Sequence, residues 1–547
     1  MTMALVNLPP RFQDALLKPL LYPSNSLLRT INTYPKSLEK AGVSLDEIES
    51  DLFEDRKTEW EIPIRDLSTA SGKGGLSVLL KKSRLIKLDV DKRNIHSHDK
   101  LLEWLGLSSQ PGNMKKDPKC RFICLYGTHS RAKLKLTRVM LANILTFHQV
   151  MPAFLEFISV FGQQSEPSDL NFSGFRQQVL LINPPHDMVL PALGRSGRQY
   201  QLCYNLKCVA LKSEDKKNLM LNEWSIRQAV FYHQFDIVSG NILWIVVQGN
   251  LELQQRFKAL TDKNARTEDR SFGTTEECFR SSLSAHLMYC FWATEDWKEY
   301  IKWLERAADN ESTMAVFGPS GFGHAHKTYS AQDIQDLQIW EEKARQVTIA
   351  LEGNVDVMSA LVAFYYNLIK DRNFPLRKTC AMEVTSFATQ IRNIIVDFRM
   401  QIKRAEFLVR TISDRRELVI QHLQSQAASR SERLSRNMEQ EQVFMLIITG
   451  VTLIYLPATF VSTFFSTDII KYQESDSPGG KFSETAMVRW VQITIPLTVV
   501  TCVVAWLARR WMLSKRKEDH CGLTGHSGSW QMRQHFTSSV ALLPMYK

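Results

Sequence analysis

Between Leu376 and Thr449 the chain contains neither proline nor glycine. The two residues that most often stop a helix are therefore absent from this whole stretch, and one continuous helix is the simplest expectation. Other absences narrow the function. The nine cysteines include no CxxC pair and no Cys/His group at zinc-finger spacing, which argues against a structural zinc or a disulfide framework. The first thirty residues hold no apolar core of a secretory signal, because Pro9, Pro10, Arg11, Asp14 and Lys18 interrupt it. No Ser/His/Asp set or paired carboxylates stand out, so no catalytic residues, cofactor or enzyme activity are expected. Gly318-Pro-Ser-Gly-Phe-Gly323 has the glycine spacing of a phosphate loop, but His324 stands where the lysine is needed. His324 and His326 read as solvated loop residues, and His233 as a structural histidine.

What is present centres on the helix after Leu376. Val384, Phe387, Ile391, Ile394, Phe398 and Ile402 recur three or four apart, and Leu408, Ile412, Val419 and Leu423 continue the seam. Arg430, Arg433 and Arg436 follow, with lipid headgroups as their default partners or a basic collar at the inner pore mouth as the alternative. Val443 to Phe465 then carries no charge over a length sufficient to cross a hydrocarbon core of roughly 30 Å. A second apolar run, Trp490 to Ala508, is followed by Arg509, Arg510, Lys515, Arg516 and Lys517. Much of the net charge of +11 thus flanks the spans, which points to membrane orientation and away from nucleic acid. Both termini are expected in the cytosol, in the plasma membrane or a vacuolar membrane.

Upstream, Pro, Ser and Gly punctuate the chain to about Lys116, with a helical fragment at Ser44 to Phe53 and a linker at Ser71 to Gly75. Strands are predicted at Arg121 to Tyr126, Val179 to Ile182, Tyr200 to Leu211, Ala229 to Ile237 and Ile242 to Gln248. The last two form a hairpin through Ser239-Gly240-Asn241. Helices are predicted over Leu134 to Phe161 (broken or kinked at Pro152), Ser282 to Ala308 and Ala331 to Lys370. The last is expected to pack antiparallel to the long helix. The fold class is an α+β (α/β) cytosolic N-terminal domain, a long helical stalk and two C-terminal transmembrane helices. The expected parts are a peripheral region (1–116), an α/β domain (117–260), its helical part (261–375), the stalk (376–442), a first span (443–465), an external loop (466–489), a second span (490–508), and a basic flank with a disordered tail (509–547).

Thr452, Tyr455, Thr459, Thr463 and Ser466 recur at three and four, so their hydroxyls share one face of the first span. Two readings stand. The stripe lines a cation path, since Mg²⁺ sheds its water reluctantly and passes best as an aquo ion held by oxygens. Alternatively, hydroxyls and small residues such as Gly450, Ala458 and Ser462 pack against the second span. Beyond the stripe, Thr467 and Asp468 stand at the outer mouth, with Glu474, Asp476 and Glu484 adding negative potential. A ring of Asp468 carboxylates would attract divalent cations, or the residue simply sits in water.

This architecture, with the segments Cys120-Arg-Phe-Ile, Leu145-Thr-Phe-His-Gln-Val-Met, Gly194-Arg-Ser-Gly and Trp224-Ser-Ile-Arg-Gln-Ala-Val-Phe-Tyr-His, resembles the fungal CorA-like group of the CorA/ZntB divalent cation transporter superfamily. The resemblance covers roughly Cys120 to Met512. It implies a homopentamer in the lipid bilayer, with first spans ringing a pore for Mg²⁺ or another divalent such as Zn²⁺, Ni²⁺ or Co²⁺. The soluble domain would act as a gate that senses cytosolic cation. The family closes its first span with Gly-Met-Asn, whereas Ser466-Thr467-Asp468 stands here. That departure motivates an alternative, a non-conducting membrane-anchored scaffold or sensor.

Overall fold

The computed structural model describes residues 8–27, 35–69, 88–107, 115–129, 132–163, 171–211, 224–317, 329–466 and 484–524. Contacts divide the chain into two units, Met1–Leu423 and Gln424–Lys547.

The first unit is built on a seven-stranded sheet. In chain order its elements are α1 (Pro10–Leu17), α2 (Pro35–Glu47), α3 (Glu49–Leu52), β1 (Ile62–Thr69), β2 (Leu88–Ile95), α4 (His98–Leu105), β3 (Cys120–Tyr126), α5 (Arg138–His148), α6 (Phe154–Ile158), β4 (Phe175–Leu180), β5 (Gln199–Leu211), β6 (Trp224–Asp236), β7 (Ile242–Gln248), α7 (Glu252–Leu260), α8 (Thr275–Trp292), α9 (Trp297–Phe317), α10 (Ala331–Lys370) and the first part of α11 (Ala381–Ser466). The strand order is β2-β1-β3-β7-β6-β5-β4, and only β3 and β7 run parallel.

Alternation along the central strands explains why helices cover both faces. In β7, Ile242, Trp244 and Val246 enter the core shared with α8 to α11, while Leu243, Ile245 and Val247 enter the core shared with α1 to α6. In β3, Phe122 and Cys124 divide from Ile123 and Leu125 in the same way. A strand apolar at every position reads as a continuous hydrophobic run because both faces are covered. The β6–β7 hairpin forms as expected. Asp236 Oδ1 accepts from the backbone N–H of Val238 (3.0 Å) and Ser239 (2.9 Å), and Gly240 takes φ +74°, a conformation glycine adopts without cost.

Three expectations are corrected. The stretch before Lys116 is not wholly peripheral: β1 and β2 extend the sheet, and Phe12, Leu45, Leu52 and Leu101 are buried in the core beneath it. The edge strand β2, Leu-Asp-Val-Asp-Lys-Arg-Asn-Ile, hides its strand character behind charges that also discourage edge-to-edge pairing. The Leu134 to Phe161 stretch is broken, but at Gln149, which closes α5 in the left-handed region at φ +51° before Pro152 is reached. The aromatic stretch Ser282 to Ala308 likewise falls on two helices, α8 and α9, separated at Asp296 with φ +62°. The Ser71 to Gly75 linker and the Gly318 to His326 segment lie outside the described residues.

Helix α10 occupies the predicted span, and α11 begins five residues after the predicted start at Leu376. Their contacts run antiparallel: Tyr365 meets Phe387 at 5.4 Å between ring centroids, and Glu341 meets Arg416 at 2.8 Å. Every seam residue from Val384 to Val419 named above is buried. Helix α10 is also long and apolar enough to cross a membrane, yet 56% of its apolar window is buried in protein. Asn354 shows how it is fastened, its amide bonding both the N–H (2.9 Å) and the C=O (2.7 Å) of Lys207 on β5.

The second unit comprises the rest of α11 and α12 (Glu484–Thr524), with Pro457 inside the one and Pro496 inside the other. The helix is unbroken between Arg436 and Val443. Each carries an apolar window of membrane-crossing length of which only 6% is buried in protein. So much bare apolar surface on a helix whose backbone bonds are internal suits a hydrocarbon solvent.

Candidate functional site

The hydroxyl stripe is a geometric fact of α11. At 100° per residue Thr452, Tyr455, Thr459, Thr463 and Ser466 fall within an arc of about 80°, and all five are exposed. Pro457 and Val461, on the opposite face of α11, are buried, as is Thr494 of α12, while Ser462, beside the stripe, accepts from Trp490 Nε1 of α12 at 3.0 Å. Ser462 therefore packs on the second helix as the packing reading expects, whereas Gly450 has open space beside it. Thr459 and Thr463 also rim a groove with Leu497 and Thr501 of α12.

Four of the five stripe hydroxyls, those of the threonines and the serine, share a hydrogen-bond pattern. Thr452 Oγ1 donates to the carbonyl of Ile448 (3.0 Å), Thr459 to Tyr455 (2.8 Å), Thr463 to Thr459 (2.5 Å) and Ser466 to Thr463 (2.9 Å). Each proton is turned back into its own helix, and each oxygen presents lone pairs outward. Thr467, Asp468, Glu474 and Asp476 lie outside the described residues. Among the described residues no group of three or more His, Cys, Asp or Glu is placed to hold a metal ion.

Two polar constellations had no signal as sites in the sequence. The first fastens the stalk: Arg404 of α11 bonds Glu305 of α9 through two nitrogens (2.8 and 2.6 Å), Arg415 pairs with Asp309, Arg416 with Glu341, and Glu383 with Arg280 of α8. Arginines spaced along a charged helix look solvated until the partner helix is known.

The second lies where three of the four resemblance segments meet. Arg121, from Cys120-Arg-Phe-Ile, bonds Asp66 through two nitrogens at 3.0 Å each and Asp117 at 3.3 Å. Arg195, from Gly194-Arg-Ser-Gly, donates to Asp117 (2.5 Å), to the carbonyl of Phe147 (2.6 Å) and to His148 Nδ1 (3.4 Å). His148 belongs to the Leu145 to Met151 segment. The glycines bracketing Arg195 take φ +74° and +75°, and a Cβ on Gly197 would meet Pro184 Cβ at 2.9 Å. Ser196 meanwhile donates its N–H (2.6 Å) and hydroxyl (2.9 Å) to Asp236. The motif is thus an arginine holder.

His233 is structural as expected, fully buried and bonded to Ser282 and His286.

No curated protein matches the chain. Among solved structures it is similar to the complete CorA magnesium transporter of Methanocaldococcus jannaschii, at 10% identity over 81% of this chain and 96% of that one, with a TM-score of 0.29. The soluble domain of that CorA matches at 11% identity over 56% and 87%, with a TM-score of 0.27. The full-length CmaX protein matches at 11% identity over 77% and 93%, with a TM-score of 0.29. The family described as CorA-like transporters matches residues 15–316, beginning well before Cys120 and including β1 and β2. Since that match spans more than half of the chain, the protein belongs to the CorA-like transporter family.

Proposed function

We propose that the protein passes divalent metal cations, Mg²⁺ foremost, down their electrochemical gradient through a homopentameric pore lined by the α11 span. The outward acceptors of the hydroxyl stripe carry this reading. An aquo cation presents only O–H donors, so a lining in which four of five hydroxyl protons are spent on backbone carbonyls matches it and disfavours anions. A ring of Asp468 carboxylates at the outer mouth would concentrate divalents. Family membership and the two apolar helices support the membrane setting. The basic flanks at Arg430, Arg433, Arg436, Arg509 and Arg510 support cytosolic termini.

An apolar stripe on the stalk supports an assembly of copies. Met382, Val396, Met400, Phe407 and Leu418 are exposed on one face of α11, opposite the buried seam, where a neighbouring subunit would cover them. The scaffold or sensor reading retains one favouring observation, Ser466-Thr467-Asp468 in place of Gly-Met-Asn.

Liposomes loaded with a Mg²⁺-sensitive dye separate the two. The pore reading expects uptake that Asp468→Ala alters, and a pentameric mass in detergent. Absence of flux for every divalent tested would favour the scaffold, and a stable monomer would count against the pore.

A further inference from the structure

We propose that the junction around Arg195 is a binding site for one small monovalent anion of chloride size, a role independent of transport through the spans. A cavity of about 30 Å³ opens there among Arg121, His148, Arg195, Gln199, Asp117 and Asp236. That volume admits one or two water-sized groups.

Its lining has surplus donors. His148 Nδ1 accepts from Arg195, so in the neutral ring the proton sits on Nε2, and that buried N–H has no acceptor within the protein. Burial and the neighbouring guanidinium groups of Arg195 and Arg121 hold the His148 pKa well below its ordinary value, which keeps the ring neutral. Gln199 Oε1 accepts from Gln234 Nε2 at 2.6 Å, which sets the amide orientation and leaves Gln199 Nε2 as a second buried donor without an acceptor. Both side chains are 4% exposed.

The two carboxylates of the lining already serve neighbouring donors. Asp117 already takes three hydrogen bonds from Arg121 and Arg195. Asp236 takes four, from Ser196 N and Oγ and from the N–H groups of Val238 and Ser239. A bound water would satisfy the two donors but bring two protons of its own. An anion accepts and brings none. The two guanidinium and two carboxylate charges of the lining cancel, so the N–H groups would supply the attraction.

The test is the melting temperature of the full-length protein in detergent, titrated with chloride, bromide or gluconate at fixed ionic strength. Chloride and bromide should raise it saturably by a few degrees while gluconate does not, since a ligand that binds only the folded state stabilises it. Gln199→Glu, which sets a fixed carboxylate beside the same donors, and Gln199→Leu, which removes one donor, should both lose the response. His148→Gln serves where either fails to fold. Melting that is indifferent to the anion, or a saturable response that these variants keep, overturns the site and leaves the cavity to water.

Discussion

His286 Nε2 lies 3.3 Å from His233 Nδ1, two imidazoles in direct contact at the centre of the sheet-to-helix core. The neighbours fix the direction of every proton. Ser282 donates to the Cys278 carbonyl (3.1 Å), so it accepts from His233 Nε2 (3.2 Å). His233 Nδ1 then accepts from His286 Nε2, and His286 Nδ1 accepts from the Tyr204 hydroxyl (2.6 Å). One directed chain thus ties β5, β6 and α8, with no position for an extra proton.

Acid should therefore unfold this core. Burial pushes His233 down to about 3, and burial with the neighbouring His233 pushes His286 well below the ordinary range. In the unfolded chain both return to about 6.5. Groups whose folded pKa is lowered bind fewer protons when folded. Stability is fully present above about pH 6.5 and falls below it, by up to ~1.4 kcal/mol per pH unit for each histidine. His286→Phe should cost about 1–3 kcal/mol at neutral pH by stranding Tyr204 and His233, yet show a shallower decline between pH 6.5 and 5. Thermal melts across that range check both.

Lys207 makes a pH prediction of the same sign in a higher window. It is fully buried on β5 with Ser173 Oγ at 2.8 Å as its hydrogen-bond partner, and burial lowers its pKa to about 8. A lysine whose folded pKa is lowered costs stability below that value, and the cost is relieved as pH rises from 8 towards the unfolded 10.4 or so. Lys207→Met should stabilise the protein by about 1–3 kcal/mol at pH 7, with the advantage shrinking above pH 8. Equal melting temperatures at pH 7 would contradict this.

The helices and the span were legible because their signal is local. The seam from Val384 to Val419 and the uncharged run from Val443 to Phe465 each declare themselves by spacing alone. Strand β7 was legible because it is apolar on both faces, and β5 and β6 because each keeps an alternate apolar set, Tyr200, Leu202, Tyr204 and Leu206 on the one and Ala229, Phe231 and Phe235 on the other. Strand β2 was not, since four of its eight residues are charged and only its pairing with β1 makes it a strand. The Gly194-Arg-Ser-Gly segment was visible as a family mark, but its purpose required Asp117, His148 and Asp236, distant in sequence. The hydroxyl stripe could be read from periodicity, while the inward turn of its protons required the helix backbone.

The stalk contacts should differ in value according to burial. Glu341 is 3% exposed at its side chain and shared between Arg416 and Arg345, so removing Arg416 leaves a buried carboxylate half-compensated. Arg416→Ala should cost about 2–4 kcal/mol. Arg404→Ala, whose partner Glu305 is a third exposed, should cost no more than about 1 kcal/mol. Denaturant unfolding of each variant measures the contrast, and raising salt should narrow the Arg404 loss more than the Arg416 loss.

The stripe can be tested one hydroxyl at a time, because its chemistry separates shape from polarity. Thr459→Val and Thr463→Val keep volume and helix but replace the outward lone pairs with a methyl group. Under the proposed pore each valine ring removes up to five acceptors from one level of the path, so divalent uptake into liposomes should fall by tenfold or more per level, as for a lost charge-assisted hydrogen bond of about 1.5 kcal/mol. Thr459→Ser and Thr463→Ser retain the oxygen and should conduct near the wild-type rate. The expected order is wild type and serine together, valine well below. If valine and serine variants conducted alike, the hydroxyls would be packing against lipid or α12 rather than meeting the ion, and the path would have to lie on another face of α11.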